Sequence, residues 1–138
     1  MKWVALALAA CFLPVAAQEP SPRLPPPSIF GIYGPASKTR RTGRDSIRVT
    51  ARAQGKVNLA LKLYYANGHT CQLDKQGEWQ GDRLLVIADG LDPNQSCKLE
   101  ASFAPGRIHL SDEGQRCAQV YCGTRGKLDG VVMSKTRR

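Results

Sequence analysis

The sequence has no apolar run long enough to cross a bilayer. Its most apolar stretch, residues 3–17, covers about 15 residues, whereas a spanning helix needs roughly 18–20. The chain has two histidines, no G-x-S-x-G elbow and no C-x₂-C pair. These absences argue against a spanning helix, a serine-hydrolase elbow and a zinc site.

The first 17 residues are typical of a secretory signal peptide. Lys2 forms a short basic region, the apolar stretch follows, and Val15, Ala16 and Ala17 place small residues before a cleavage site at Gln18. We therefore expect an exported mature chain without a transmembrane span, either periplasmic or secreted. In the alternative reading, residues 8–11 are a lipoprotein cleavage site and Cys11 is acylated.

The mature chain is predicted to be one domain behind a short tether. Residues 18–28 contain five prolines, which favour an extended spacer, and residues 29–138 are long enough for a single core. Removal of residues 1–17 removes one charged side chain, Lys2, and lowers the net charge from +9 to +8.

Four cysteines remain after cleavage, and an even number in a small exported chain indicates disulfides. They are Cys71, Cys97, Cys117 and Cys122. Of the three possible pairings we favour Cys71–Cys97 with Cys117–Cys122. The second bond would force residues 117–122 to fold back, because bridged Cα atoms lie about 4.4–6.8 Å apart.

Alternating apolar and polar residues predict several short strands separated by turn residues. The apolar positions are Ile47, Val49, Ala51, Ala53; Val57, Leu59, Leu61, Leu63, Tyr65; residues 84–88; Leu99, Ala101, Phe103; Ile108, Leu110; and residues 131–133. No segment shows a clear helical repeat. The pattern predicts an all-β fold, an antiparallel barrel of about eight strands similar to lipocalins or lysozyme inhibitors.

Two turns can be predicted in more detail. A three-residue loop of Asn67, Gly68 and His69 would place Tyr65 opposite Cys71, which keeps one apolar face. A two-residue loop would mix apolar and polar residues on that face. The second turn is expected at residues 105–106.

No residue set predicts catalysis, a metal ion or a cofactor. His69 and Cys71 could form a thiol nucleophile only if the cysteine stayed reduced, and we expect it to be oxidised. The acidic pairs at Asp89 and Asp92 and at residues 112–113 are interpreted as turn residues rather than as glycosidase carboxylates.

The strongest charge feature is a run of seven basic residues between positions 38 and 56, interrupted by one acid, Asp45. It contains Arg40, Arg41, Arg44, Arg48 and Arg52. This run is interpreted either as a solvated face or as a surface for anionic envelope components. Nucleic acid is disfavoured as a partner because of export and because the run lacks interleaved aromatic residues.

The second half of the chain carries N-G-H-T-C at residues 67–71 and C-G-T-R-G-K-L-D-G at residues 122–130. With Cys97 and Cys117 between them, this order resembles a small exported bacterial domain associated with LprI-type lysozyme-inhibitor proteins. The resemblance supports the favoured disulfide pairing and implies an envelope role, with inhibition of a peptidoglycan-cleaving enzyme as an expected activity. The S-G-x-x-Y loop of C-type lysozyme inhibitors is absent.

We therefore expect a non-catalytic periplasmic binding protein, an inhibitor or immunity protein against a cell-wall hydrolase of neutral or acidic charge. The expected contact residues are Asn67, Gly68, His69, Arg125, Gly126 and Asp129. The alternatives are a lipocalin-like carrier of a small apolar ligand and a basic envelope protein that binds anionic surfaces.

Overall fold

The computed structural model describes residues 23–35, 45–66 and 68–136. The predicted signal peptide, with Cys11, and the first five residues of the proline-rich segment lie outside these residues. The last two residues of that segment, Pro27 and Ser28, belong with Ile29 to a short 3₁₀ helix, Pro27–Ile29. The Ile29 side chain is buried in the core.

Eight strands form one closed antiparallel barrel, which confirms the predicted fold class. The strands are β1 (Gly31–Gly34), β2 (Ser46–Ala51), β3 (Val57–Tyr64), β4 (Thr70–Trp79), β5 (Arg83–Asp89), β6 (Ser96–Ala104), β7 (Arg107–Ser111) and β8 (Val132–Lys135). Each strand pairs with the next, and β8 pairs with both β7 and β1 to close the barrel. In the described part of the chain, no helix is both long and apolar enough to cross a membrane.

The barrel core is formed by the alternating apolar positions of the strands. On β2 and β3, Ile47 lies opposite Leu61 and Val49 opposite Leu59, and all four side chains are buried. The predicted alternation on β6 and β7 is also confirmed by burial of Leu99, Ala101, Ile108 and Leu110. β2 ends at Ala51, however, and the predicted strand position Ala53 lies in a 3₁₀ helix, Ala53–Gly55.

The turn between β3 and β4 has the predicted three-residue length but a different register. The Tyr65 amide donates to the His69 carbonyl at 2.9 Å, so the loop is residues 66–68, and Leu63 rather than Tyr65 lies opposite Cys71. In such loops the last residue adopts a left-handed conformation, which favours glycine, and Gly68 has φ +81°. The glycine therefore belongs at the third loop position, one residue later than predicted. The turn at residues 105–106 is as predicted.

In the described ranges one α-helix, α1 (Arg116–Tyr121), is present; it lies between β7 and β8 in the sequence and covers one end of the barrel. The sequence pattern did not predict it, because six residues are too few for a helical repeat to be recognised. The buried carboxylate of Asp112 holds its first turn, accepting from the amides of Cys117 at 3.0 Å and Ala118 at 2.7 Å. The interpretation of Asp112 as a residue that binds nearby backbone is thus confirmed.

All four predicted cysteines form disulfides, but the favoured pairing was wrong. The bonds are Cys71–Cys122 and Cys97–Cys117. Cys71 lies near the start of β4 and Cys97 near the start of β6. Because β5 lies between these strands, the two strands are separated by two strand spacings, about 9.6 Å. Five helical steps from Cys117 to Cys122 rise about 7.5 Å, beyond the reach of one disulfide.

We predict that Asp112→Ala lowers the free energy of unfolding by about 2–4 kcal/mol, because two buried amides at the start of α1 lose their acceptor. Urea unfolding of the oxidised protein would measure the loss. Glu113→Ala serves as the control, since Glu113 is exposed and should change stability by less than about 0.5 kcal/mol. Equal effects of the two variants would contradict the capping role of Asp112.

Candidate functional site

The two segments predicted to bind a partner lie side by side at the barrel end covered by α1. The β3–β4 turn carries Gly68 and His69, and the segment after α1 contains a 3₁₀ helix, Gly123–Arg125. The Cys71–Cys122 bond joins the start of β4 to the end of α1 and so brings these two segments together. Asn67 lies outside the described residues.

A second connection fixes the segment after α1 against the turn. The Tyr65 hydroxyl donates to the Lys127 carbonyl. This bond joins residues 62 positions apart in the sequence. Together with the disulfide, it holds the backbone on both sides of Arg125, so the loop is preorganised.

Two of the predicted contact residues also have structural roles here. Gly126 packs against the disulfide, because a Cβ atom at this position would lie 2.9 Å from Cys71 Sγ. The Asp129 carboxylate accepts from the Asp112 amide at 3.0 Å, which ties the chain before β8 to the cap of α1. The sequence pattern singled out both residues but did not distinguish packing from partner contact.

A small cationic surface faces solvent at the barrel end covered by α1. We call it the stapled surface and define it as Gly68, His69, Gly123, Arg125 and Lys127. Arg125 and Lys127 are exposed, and His69 is half-buried. A guanidinium and an ammonium group on a rigid loop can bind carboxylates with little loss of conformational entropy.

The candidate catalytic residues have other roles in the structure. Cys71 is in a disulfide and is therefore unavailable as a thiol nucleophile. Asp92 Oδ1 accepts from the Asn94 amide at 2.9 Å, and Asp89 pairs with Lys75 at 3.2 Å, consistent with turn and surface roles. Among the described residues, no group of three or more His, Cys, Asp or Glu side chains could hold a metal ion.

Part of the predicted basic surface lies on the outer face of β2 and β3. Arg48, Arg52 and Lys62 border a groove of about 480 Å³. The pairing of Arg48 with Ala60 places a small side chain in the floor of the groove. Arg40, Arg41 and Arg44 lie outside the described residues.

A separate charge cluster lies on the outer face of β5 and β6. Glu100 contacts Lys98 at 2.6 Å and Arg83 at 3.2 Å. The hydrogen bond from Lys98, followed by that from Arg83, lowers the pKa of the Glu100 carboxyl below its ordinary value. The cluster is distant in sequence from both predicted contact segments. Its charged side chains form ion pairs with one another.

The opposite end of the barrel contains a pocket that the sequence pattern did not reveal. This aromatic pocket has a volume of about 530 Å³. Its lining residues are Pro26, Ser28, Ile29, Tyr33, Trp79, Gly81, Asp82, Phe103, Ala104, Pro105 and Gly106. Extending the alternation from Cys71 and Leu73 along β4 would have placed Trp79 on the inner face, which was the missed signal.

The rings of the aromatic pocket are in contact. The Phe103 ring centroid lies 5.9 Å from that of Trp79 and 6.2 Å from that of Tyr33. The Trp79 Nε1 atom is buried and has no hydrogen-bond partner in the described protein. Leaving such a donor unsatisfied costs about 1–3 kcal/mol.

Comparisons of the chain with protein-family models, with curated proteins and with solved structures give no match.

We predict that Gly126→Ala destabilises the protein by about 1–3 kcal/mol, because the added methyl group overlaps the Cys71–Cys122 bond. Urea unfolding under oxidising conditions would measure the change. The neighbouring variant Arg125→Ala is the control and should change stability by less than about 0.5 kcal/mol, since Arg125 is exposed. A fully stable Gly126→Ala protein would show that the close packing is unnecessary.

Proposed function

We propose that this is a non-catalytic exported protein that inhibits a cell-wall hydrolase through the stapled surface. The observation that carries the proposal is the locking of two sequence-distant loops into one exposed cationic surface by Cys71–Cys122 and the Tyr65–Lys127 hydrogen bond. The two disulfides are typical of oxidising compartments and support export.

The positive charge of the stapled surface suits the active site of a glycan-cleaving hydrolase. Glycan-cleaving hydrolases use a pair of carboxyl groups flanking the scissile bond. Arg125 and Lys127 could pair with such carboxylates, and Arg favours bidentate contact. Since the whole chain is strongly basic, a hydrolase of neutral or acidic net charge would be approached faster than a basic one.

Rigidity supports inhibition by occlusion of the cleft. A loop that is already fixed loses little freedom on binding, and preorganised inhibitor complexes change little in backbone conformation. The resemblance of residues 64–130 to the domain associated with LprI-type lysozyme-inhibitor proteins points in the same direction.

Purified oxidised protein should inhibit at least one enzyme of a panel of muramidases of neutral or acidic net charge. Clearing of a peptidoglycan suspension would measure inhibition. Arg125→Glu should weaken it about tenfold or more, because the reversed charge would face the target carboxylates. The matched control is Arg107→Glu, an exposed site at the other barrel end, which should change it less than about twofold.

Absence of inhibition across the panel, with no binding of any panel enzyme to the immobilised protein, would refute the proposed activity. Equal weakening by Arg125→Glu and Arg107→Glu would instead show that net charge, and not the stapled surface, governs inhibition.

A further inference from the structure

The groove on the outer face of β2 and β3 extends to β4 and has two different walls. We call it the basic groove and define it by Arg48, Arg52, Asn58, Ala60, Lys62 and Asp74. The strand register places Arg48 opposite Ala60 and Ala60 opposite Asp74, so the alanine lies between a base on β2 and an acid on β4. At two strand spacings these two charged residues lie about 9.6 Å apart, which leaves room for a ligand above the small side chain.

The bases of the basic groove are exposed, and none of them is neutralised by an acid of the described chain. In residues 23–35, 45–66 and 68–136, no carboxylate forms an ion pair with Arg48, Arg52 or Lys62. The Lys62 ammonium group instead lies 5.4 Å from the Tyr64 ring centroid. Lys62 is paired with Ser46 at the start of β2, whereas Arg52 follows the end of that strand. The three bases therefore form a cationic wall along the groove that can pair with successive anionic groups of an extended ligand.

The opposite wall of the basic groove carries a fixed hydrogen-bond acceptor. Asn58 is 7% exposed, and its side-chain amide donates to Asp74 Oδ1 at 2.7 Å. This bond orients the exposed carboxylate, whose Oδ2 atom accepts no hydrogen bond from the described part of the chain. An ionised carboxylate repels an anionic group but accepts a hydrogen bond from a hydroxyl group. The edge of a ligand that faces Asp74 should therefore carry hydroxyl groups rather than negative charges.

We propose that the basic groove binds an acidic oligosaccharide, whose carboxylates pair with the cationic wall and whose ring hydroxyl groups donate to Asp74. The groove volume of about 480 Å³ falls within the range of roughly 300–1,000 Å³ found for small-molecule sites. Single-stranded nucleic acid fits less well, because the described lining has no aromatic side chain on which a base could stack. The groove shares no residue with the stapled surface, so this inference does not depend on the proposed inhibition.

Two matched probes test the charge requirement. We would titrate the ¹⁵N-labelled oxidised protein at low salt with trigalacturonic acid and with its methyl ester, which keeps the sugar rings and ring hydroxyl groups but removes the negative charges. The acid should shift the backbone amide resonances around Ala60 on β2, β3 and β4 in a saturable manner. The ester should bind at least about tenfold more weakly, because it cannot form ion pairs with the bases.

The variant Arg48→Gln removes one charge from the centre of the cationic wall. It should weaken binding of trigalacturonic acid about three- to tenfold, the loss expected for one charge-assisted contact at a solvated site. Arg107→Gln removes the same charge from an exposed position outside the basic groove and should change the affinity less than about twofold, because salt screens distant charges.

The variant Asp74→Ala distinguishes a sugar site from a general surface for anions. If charge alone governed binding, removal of this acid would strengthen it. Loss of the hydroxyl acceptor should instead weaken binding of trigalacturonic acid about two- to tenfold. Glu113→Ala removes the same charge at an exposed site outside the groove and should change the affinity less than about twofold.

Absence of saturable shifts on β2, β3 and β4 with trigalacturonic acid would overturn the proposal. Equal weakening by Arg48→Gln and Arg107→Gln, or tighter binding by Asp74→Ala, would also overturn it, since net charge would then explain binding. Vesicles of phosphatidylglycerol and phosphatidylcholine test the other envelope anion. Their binding should respond equally to the two arginine variants, and a loss specific to Arg48→Gln would assign the groove to a lipid surface instead.

Discussion

Two disulfides attach a six-residue helix to two strands of the barrel and fix one end of the molecule. A helix this short is not stable alone, since helix nucleation is costly. Bonds from Cys71 and Cys97 to the two ends of α1 span 51 and 20 residues. In the chain-entropy model each stabilises the folded state by about 3–4 kcal/mol, through restriction of the unfolded chain.

This constraint makes the two ends of the barrel different. At one end the helix, its Asp112 cap and the Cys71–Cys122 bond fix loops that would otherwise move independently. At the other end the strands close around Trp79 and Phe103 and leave a pocket. The core between them is filled by alternating side chains of the strands. The cationic surface and the aromatic pocket therefore lie on one barrel without sharing residues.

Strand alternation was sufficient to predict the barrel, because each strand has one buried and one exposed face. Features that depend on distance in space were not predictable in the same way. The cysteine pairing depends on β5 lying between β4 and β6 and on α1 separating Cys117 from Cys122. The turn register depends on which loop position requires the positive φ of Gly68. The stapled surface was predicted as two separate segments, and the aromatic pocket was missed because its rings converge from three strands.

Mapping of the disulfides by mass spectrometry would show whether α1 is attached to β4 and β6. No lysine or arginine lies between Cys117 and Cys122, so trypsin leaves both cysteines in one peptide, residues 117–125. Tryptic digestion of the unreduced protein should give one cluster that links the peptides 63–75, 84–98 and 117–125. A further cleavage after Tyr121 should separate this cluster into two linked peptide pairs, one joined by Cys71–Cys122 and the other by Cys97–Cys117. An unlinked 117–125 peptide with an internal disulfide would contradict the attachment of α1 to the barrel, and with it the preorganised stapled surface.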